Sequence, residues 1–149
     1  QIPHATFGTD IIVGFPGENE AAFNNTLAII DTVGFCNLHA FRYSPRRGTA
    51  AASFADQVAT EVKRERSEVL VARWLDGLAL LLDKRIDTTQ DVLVEEYRDT
   101  VWRGYTHDYL YVTFSSDRQI PIGSLLPVHI TGRAGATLEG VEDHQTDAN

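Results

Sequence analysis

Thr9-Asp10-Ile11-Ile12-Val13-Gly14-Phe15-Pro16-Gly17-Glu18 constrains the fold more than any other stretch of this chain. It reads as a buried strand over Ile11 to Val13 that runs straight into a Gly-Phe-Pro-Gly turn and then a helix. Glycines at the junction of a strand end and a helix start present bare backbone to whatever sits at that edge. In α/β proteins that edge is where ligands gather. An ordinary βα turn also needs glycine for its backbone angles, so the stretch alone names no ligand.

The rest of the pattern places this turn in a βαβ unit. Asn19 is a good N-cap for the next helix. Phe23, Leu27, Ile30 and Val33 then recur at helical spacing, and Gly34 is a C-terminal cap. Leu38 to Tyr43 form a second strand, ended by Ser44-Pro45. A βαβ crossover implies a parallel sheet covered by helices. From Pro45 to Gln57 the chain turns small and polar, a loop too long for a mere connector. Thr60 can cap a long helix reaching about Lys84, with Val62, Val69, Leu70, Trp74, Leu75, Leu78 and Leu82 as its apolar face. Lys63, Arg64, Glu65, Arg66 and Glu68 are expected on its solvated face.

Composition shifts at Ile86-Asp87-Thr88-Thr89-Gln90, and everything beyond reads as β. Val92-Leu93-Val94, Val101 to Tyr105, Tyr109 to Phe114 and Leu125 to Thr131 are short strands, with turns at Ser115-Ser116-Asp117, Pro121 to Ser124 and Gly132 to Gly135. Four or five such strands in about fifty residues have the dimensions of an OB-type barrel. The fold class is therefore α/β plus all-β: an incomplete α/β unit over 1–85, a small β-barrel over 86–142 and an acidic tail over 143–149. Glu139, Glu142, Asp143 and Asp147 make the C-terminal end look solvated and mobile.

Bulk properties exclude several classes. The 149 residues carry a net charge of -8, which argues against strong nonspecific nucleic-acid binding. From Ile86 to Arg133 acids also outnumber bases. No apolar run approaches a membrane span, and no signal peptide is visible, so the cytoplasm is the expected location and no membrane partner is expected. Cys36 is the only cysteine, which leaves no disulfide framework and no cysteine-based metal site in this chain. Its setting between Phe35 and Asn37 suits a small buried hydrophobe. There is no methionine, even at position 1, and one βαβ unit plus a helix cannot cover both faces of a parallel sheet. Both features read as a fragment of a longer protein.

Three blocks together carry a resemblance: Thr9 to Glu18, then Tyr43-Ser44-Pro45-Arg46-Arg47-Gly48-Thr49-Ala50-Ala51, then Gln57-Val58 with Val62-Lys63-Arg64-Glu65-Arg66. They resemble the C-terminal half of the radical S-adenosylmethionine domain of the tRNA and ribosomal-protein methylthiotransferases, a partial (β/α) barrel. The segment after residue 86 resembles the TRAM domain that follows it. Gly104-Tyr105-Thr106-His107-Asp108-Tyr109-Leu110 resembles the Gly-Tyr-Thr-x-Asn-Tyr pattern of the branch acting on threonylcarbamoyladenosine at position 37 of tRNA, and Leu38-His39-Ala40-Phe41 points the same way.

The resemblance implies methylthio transfer to C2 of that adenosine by radical chemistry, with S-adenosylmethionine and [4Fe-4S] clusters as cofactors and the tRNA anticodon-loop region as partner. The cluster ligands, including the family's CxxxCxxC, would lie upstream of Gln1, and Cys36 matches none of them. This chain by itself is then expected to hold no metal, to contribute no catalytic residue and to be inactive; no protein partner is expected.

On this reading the Ile12 to Gly17 edge lies against the adenosyl group, with Gly14 and Gly17 allowing close approach. Val13 belongs to that edge, and Asp10 could accept from a ribose hydroxyl or the ammonium, or simply fix the turn. Glu18 could cap the helix or serve the cofactor. Arg46, just past the second strand, could pair with the cofactor carboxylate or an RNA phosphate; Arg47 departs from the family's commoner pattern. Tyr43 could stack or pack, and Thr49 could hydrogen-bond its own loop.

In the barrel, Tyr105, Tyr109, Tyr111 and Phe114 are candidates for base stacking, at least half of them expected in the core. Arg103, His107 and Arg133 could meet phosphates. His129 reads as a satisfied strand histidine. The competing readings are an isopentenyladenosine or ribosomal-protein methylthiotransferase, and a non-catalytic RNA-binding remnant.

Overall fold

The computed structural model of the chain describes residues 5–144. It contains β1 (Gly8–Val13), α1 (Glu20–Val33), β2 (Asn37–Arg42), a 3-10 turn (Ala50–Ser53), α2 (Thr60–Asp83), and strands β3 (Thr89–Arg98), β4 (Val101–Thr106), β5 (Tyr111–Ser115), β6 (Leu125–Ala134) and β7 (Thr137–Glu142). Two compact units divide inside α2: one is Phe7–Gly77, and the described residues from Leu78 onward form the body of the other.

In the first unit β1 and β2 pair in parallel, Gly8 opposite Asn37 and Val13 opposite Arg42. The helix between them starts and stops as its caps dictate. The Asn19 side chain accepts from Ala22 N at 2.9 Å, and Gly34, at φ 67°, returns its N–H to Ile30. Strand alternation sends Val13 and Leu38 inward, where Phe23, Ile30 and Leu70 cover them. Each such side chain contributes about 1.5–3 kcal/mol by leaving water. Trp74 joins the cluster edge and donates its indole N–H to Phe35 O at 2.9 Å. Cys36 is only half-buried, its thiol donating to Phe7 O.

Two expectations for α2 are corrected. Thr60 is its first residue rather than its cap, since Ala59 O accepts the first helical bond, from Lys63 N. Lys63 and Arg66 are not solvated: each is 8% exposed, whereas Val69 and Leu75 of the expected apolar face are exposed. The helical stripe is rotated because Glu18 offers Arg66 a buried partner, which apolar periodicity cannot reveal.

The second unit is a closed five-stranded barrel in the order β3-β4-β5-β7-β6, with β6 pairing back to β3. Only β5 and β7 run parallel. That is the connectivity of an OB-type barrel. Val92, Val94, Trp102, Val112, Phe114, Leu126, Val128, Ile130 and Leu138 are buried, as are Leu78 and Leu82 of the last turns of α2. Gly104 permits the β3–β4 approach: a Cβ there would lie 2.0 Å from Leu93 O.

Strand β7 was not expected. Residues 132–134, assigned to a turn, continue β6, and the acidic segment pairs with it. Glu139 and Glu142 are therefore strand residues rather than part of a mobile tail. Residues 145–149, Asp147 among them, lie outside the described residues, as do residues 1–4. Glu142 is buried; it accepts from Ser116 Oγ at 2.6 Å and from Arg118 Nε at 2.8 Å. The Arg118 hydrogen bond, against the opposing effect of burial, holds its carboxyl below the usual value. A depressed folded value contributes stability above the carboxyl's normal range and loses it as pH falls through the folded value. Glu142→Gln should lower the stability of the barrel by roughly 2 kcal/mol near pH 7. In urea titrations repeated across pH, the gap to the parent chain should close below about pH 4.

Candidate functional site

A groove of about 430 Å³ opens at the C-terminal ends of β1 and β2. Strand alternation builds its floor. Where Val13 and Leu38 face the helices, Ile12 and its register partner Phe41 face the other way and are exposed. Phe15, Arg42, Tyr43, Ser44, Arg46, Thr49 and Ala51 complete the lining. Phe15 projects from the glycine turn against Tyr43, ring centroids 5.2 Å apart and nearly edge-on, and against Phe54 at 6.4 Å. Thr49 closes its own loop, Oγ1 donating to Arg46 O at 2.8 Å. The Tyr43 hydroxyl is buried with no hydrogen-bond partner among the described residues. Such an orphan costs about 1–3 kcal/mol and marks a place where a partner is missing.

The turn itself spends its amides internally. Gly14 N donates to Glu18 Oε2 at 2.7 Å, and Gly17 N to Asp56 O at 2.8 Å. Both glycines sit at positive φ, 71° and 84°. Gly14 is covered as well, because a Cβ there would lie 2.3 Å from Lys63 Cγ. Of the expected cofactor residues, Arg46 lines the groove. Val13 is fully buried in the core, and Gly14 lies beneath Lys63. Asp10 is exposed, opposite His39, on the same face of β1 as Ile12, and is not among the groove's lining residues. Ile12, part of the expected edge, also lines the groove; period-two alternation could have added Phe41, which like Ile12 is out of phase with Val13 and Leu38.

The outer face of the β4–β5 hairpin carries Arg103, Tyr105, Tyr111 and Thr113, while Trp102, Val112 and Phe114 alternate inward. Phe114 is therefore core and cannot stack on a base. Tyr105 and Tyr111 are register partners with ring centroids 5.0 Å apart. Arg103 is already paired, with Glu96 at 3.3 Å and Asp99 at 3.1 Å. Arg133, on β6, is paired with Asp83 at 2.6 Å, and β6 is not a neighbour of β4. That bond draws the Asp83 carboxyl below its usual value. The half-buried His129 pairs in register with Thr89 and Val141.

Between β4 and β5 the chain makes a tight loop with Tyr109 at φ 61° and 74% exposed. A bulky residue in the left-handed region is held there by its surroundings. Asp108 supplies them. Its side chain is 2% exposed, bonded to Thr106 Oγ1 and to Arg85 at 2.6 Å. Thr106 Oγ1 in turn accepts from Leu110 N at 3.0 Å. His107 is exposed on the same loop. The Thr-x-Asp part of the segment is thus turn architecture.

No family model matches the chain. It is similar to a tRNA-2-methylthio-N(6)-dimethylallyladenosine synthase of Pelotomaculum thermopropionicum, 38% identical over 143 residues, 94% of this chain and 32% of that protein. A synthase of the same name from Acetivibrio thermocellus is 39% identical over 143 residues, 94% of this chain and 30% of that protein. The threonylcarbamoyladenosine tRNA methylthiotransferase MtaB of Chlamydia pneumoniae is 37% identical over 130 residues, 86% of this chain and 30% of that protein. The chain is thus a homologue of tRNA methylthiotransferases and spans about a third of the length of these relatives.

Gly14→Ala forces a left-handed alanine, at about 1–2 kcal/mol, and pushes on the Lys63 stem. Thermal unfolding should register that loss, and adding Lys63→Ala should recover the steric part only. Asp108→Ala strands Arg85 and Thr106, and should cost roughly 3 kcal/mol in chemical denaturation. Tyr109→Gly, which removes the left-handed penalty, should leave the barrel's stability unchanged or raise it.

Proposed function

We propose that this chain is part of a tRNA methylthiotransferase, contributing one wall of an S-adenosylmethionine site and a small RNA-facing barrel. The observation that carries the reading is the homology over nearly the whole chain, joined to a groove at the strand ends where an α/β fold binds ligands. The groove suits the cofactor. Its volume falls in the range of small-molecule sites, Ile12, Phe15 and Phe41 offer apolar area to an adenine, and Arg46 offers a guanidinium to a carboxylate. The orphan Tyr43 hydroxyl offers one further hydrogen bond. When bound, S-adenosylmethionine supplies the radical chemistry of such enzymes; the residues here bind it, orient it and keep water from its apolar end. No set of residues that could ligate a cluster is present among the described residues, so no step is assigned to one here.

On the barrel, Tyr105 and Tyr111 offer a stacking surface, with Tyr109 and His107 at the loop beyond it. Arg103 and Arg133 can reach a phosphate only by leaving Glu96, Asp99 and Asp83. RNA recognition is then by local shape and stacking rather than by a broad positive field.

For the base, we read threonylcarbamoyladenosine, on the strength of Leu38 to Phe41 and Gly104 to Tyr109. The dimethylallyladenosine reading is favoured by the names of two of the relatives above. The test is mass spectrometry of tRNA nucleosides from a strain lacking the gene. Loss of the methylthio group from threonylcarbamoyladenosine is the expected result. Loss from dimethylallyladenosine instead would replace the branch, and loss from neither would overturn the function.

A further inference from the structure

Lys63 and Arg66 are buried cations one helical turn apart on α2, and both press on the glycine turn. Lys and Arg are rarely this buried unless they are paired or employed. Arg66 Nη1 donates to Glu18 O at 2.9 Å and to Glu18 Oε2 at 2.7 Å, the same oxygen that accepts Gly14 N at 2.7 Å. Its guanidinium carbon also lies 5.3 Å from the centroid of the Phe23 ring, and Nη2 reaches Glu20 at 3.4 Å. Lys63 has no carboxylate in ion-pair range among the described residues. Its stem lies over Gly14, and its Nζ sits 5.2 Å from the centroid of the Tyr43 ring. The two cations therefore reach the groove's two sides, the glycine turn through Glu18 and Gly14, and the second strand's end through Tyr43.

A buried ion pair is a poor stabiliser, because desolvation offsets the attraction; its better-attested use is to fix one geometry among several. Gly14 and Gly17, at positive φ, have the backbone freedom that makes such fixing necessary. We propose that Lys63 and Arg66 are positioning residues for the ligand groove, setting the glycine turn and the Tyr43 ring in the arrangement that receives S-adenosylmethionine. The inference rests on the cofactor reading above. Neither residue lines the groove, so each acts through a neighbour.

The test uses the full-length, cluster-loaded protein and measures S-adenosylmethionine affinity by calorimetry, with thermal unfolding alongside and KM against kcat on a tRNA substrate. Arg66→Gln should weaken cofactor affinity roughly tenfold, the equivalent of one charged hydrogen bond, and raise KM for the cofactor more than it lowers kcat. Lys63→Met keeps the stem over Gly14 and removes the charge beside Tyr43; it should weaken affinity several-fold with little change in unfolding temperature. Arg66→Lys, which retains a cation but cannot reach Glu18 and Glu20 together through a rigid fork, should fall between wild type and Arg66→Gln. If Arg66→Gln does not fold, Lys63→Met and Arg66→Lys decide. Lowered unfolding temperatures with unchanged affinity in the folded variants would make both residues mere staples and overturn the inference. Wild-type protein that fails to bind S-adenosylmethionine would instead overturn the cofactor reading.

Discussion

Glu18 Oε2 is the atom on which the first unit depends. It accepts one hydrogen bond from the Gly14 amide and another from the Arg66 guanidinium. By this single oxygen the end of β1, the start of α1 and the second turn of α2 are tied together. Without it, the amide of Gly14 would be a buried donor with no acceptor, and Arg66 a buried charge with no counterion. Either defect costs more than the bond itself contributes. The glycine turn is shaped by what lies behind it as much as by its own backbone.

The second unit solves a comparable problem by different means. Its barrel closes every strand edge, so the loop that must deviate, between Thr106 and Leu110, is stabilised by buried polar groups rather than by apolar area. Asp108 is to that loop what Glu18 is to the glycine turn: a carboxylate that satisfies several donors and meets an arginine from outside the loop. In both places a short signature motif is explained by hydrogen bonds made within the protein, some of them to an arginine outside the motif. A family signature can therefore report a shared turn before it reports a shared ligand.

Much of this was legible from the residues. Asn19 and Gly34 mark the ends of α1 because caps are local chemistry. The βαβ pairing and the barrel follow from spacing and alternation. What escaped were long-range polar pairings. Nothing local distinguishes Arg66 or Glu142 from solvated neighbours; their burial depends on Glu18 and Arg118, 48 and 24 positions away. Strand β7 was hidden for a similar reason, since its acids read as solvent-loving until Ser116 and Arg118 are brought to Glu142. The groove was located by its edge glycines, and Ile12 and Arg46 of its lining were expected, but Phe41 was legible only from the opposite phase of the strand alternation. Ile12 and Phe41 belong to it, and Val13 does not.

The contrast between the two sheets has a consequence for the chain in isolation. Among the described residues the barrel has no free edge, whereas β1 and β2 form a two-stranded sheet whose outer edges pair with no other strand. Their open face carries Ile12 and Phe41 side by side. Unpaired edges beside apolar side chains are templates for added strands, those of another copy included. The half of the chain that carries the ligand groove is thus also the half most disposed to self-association.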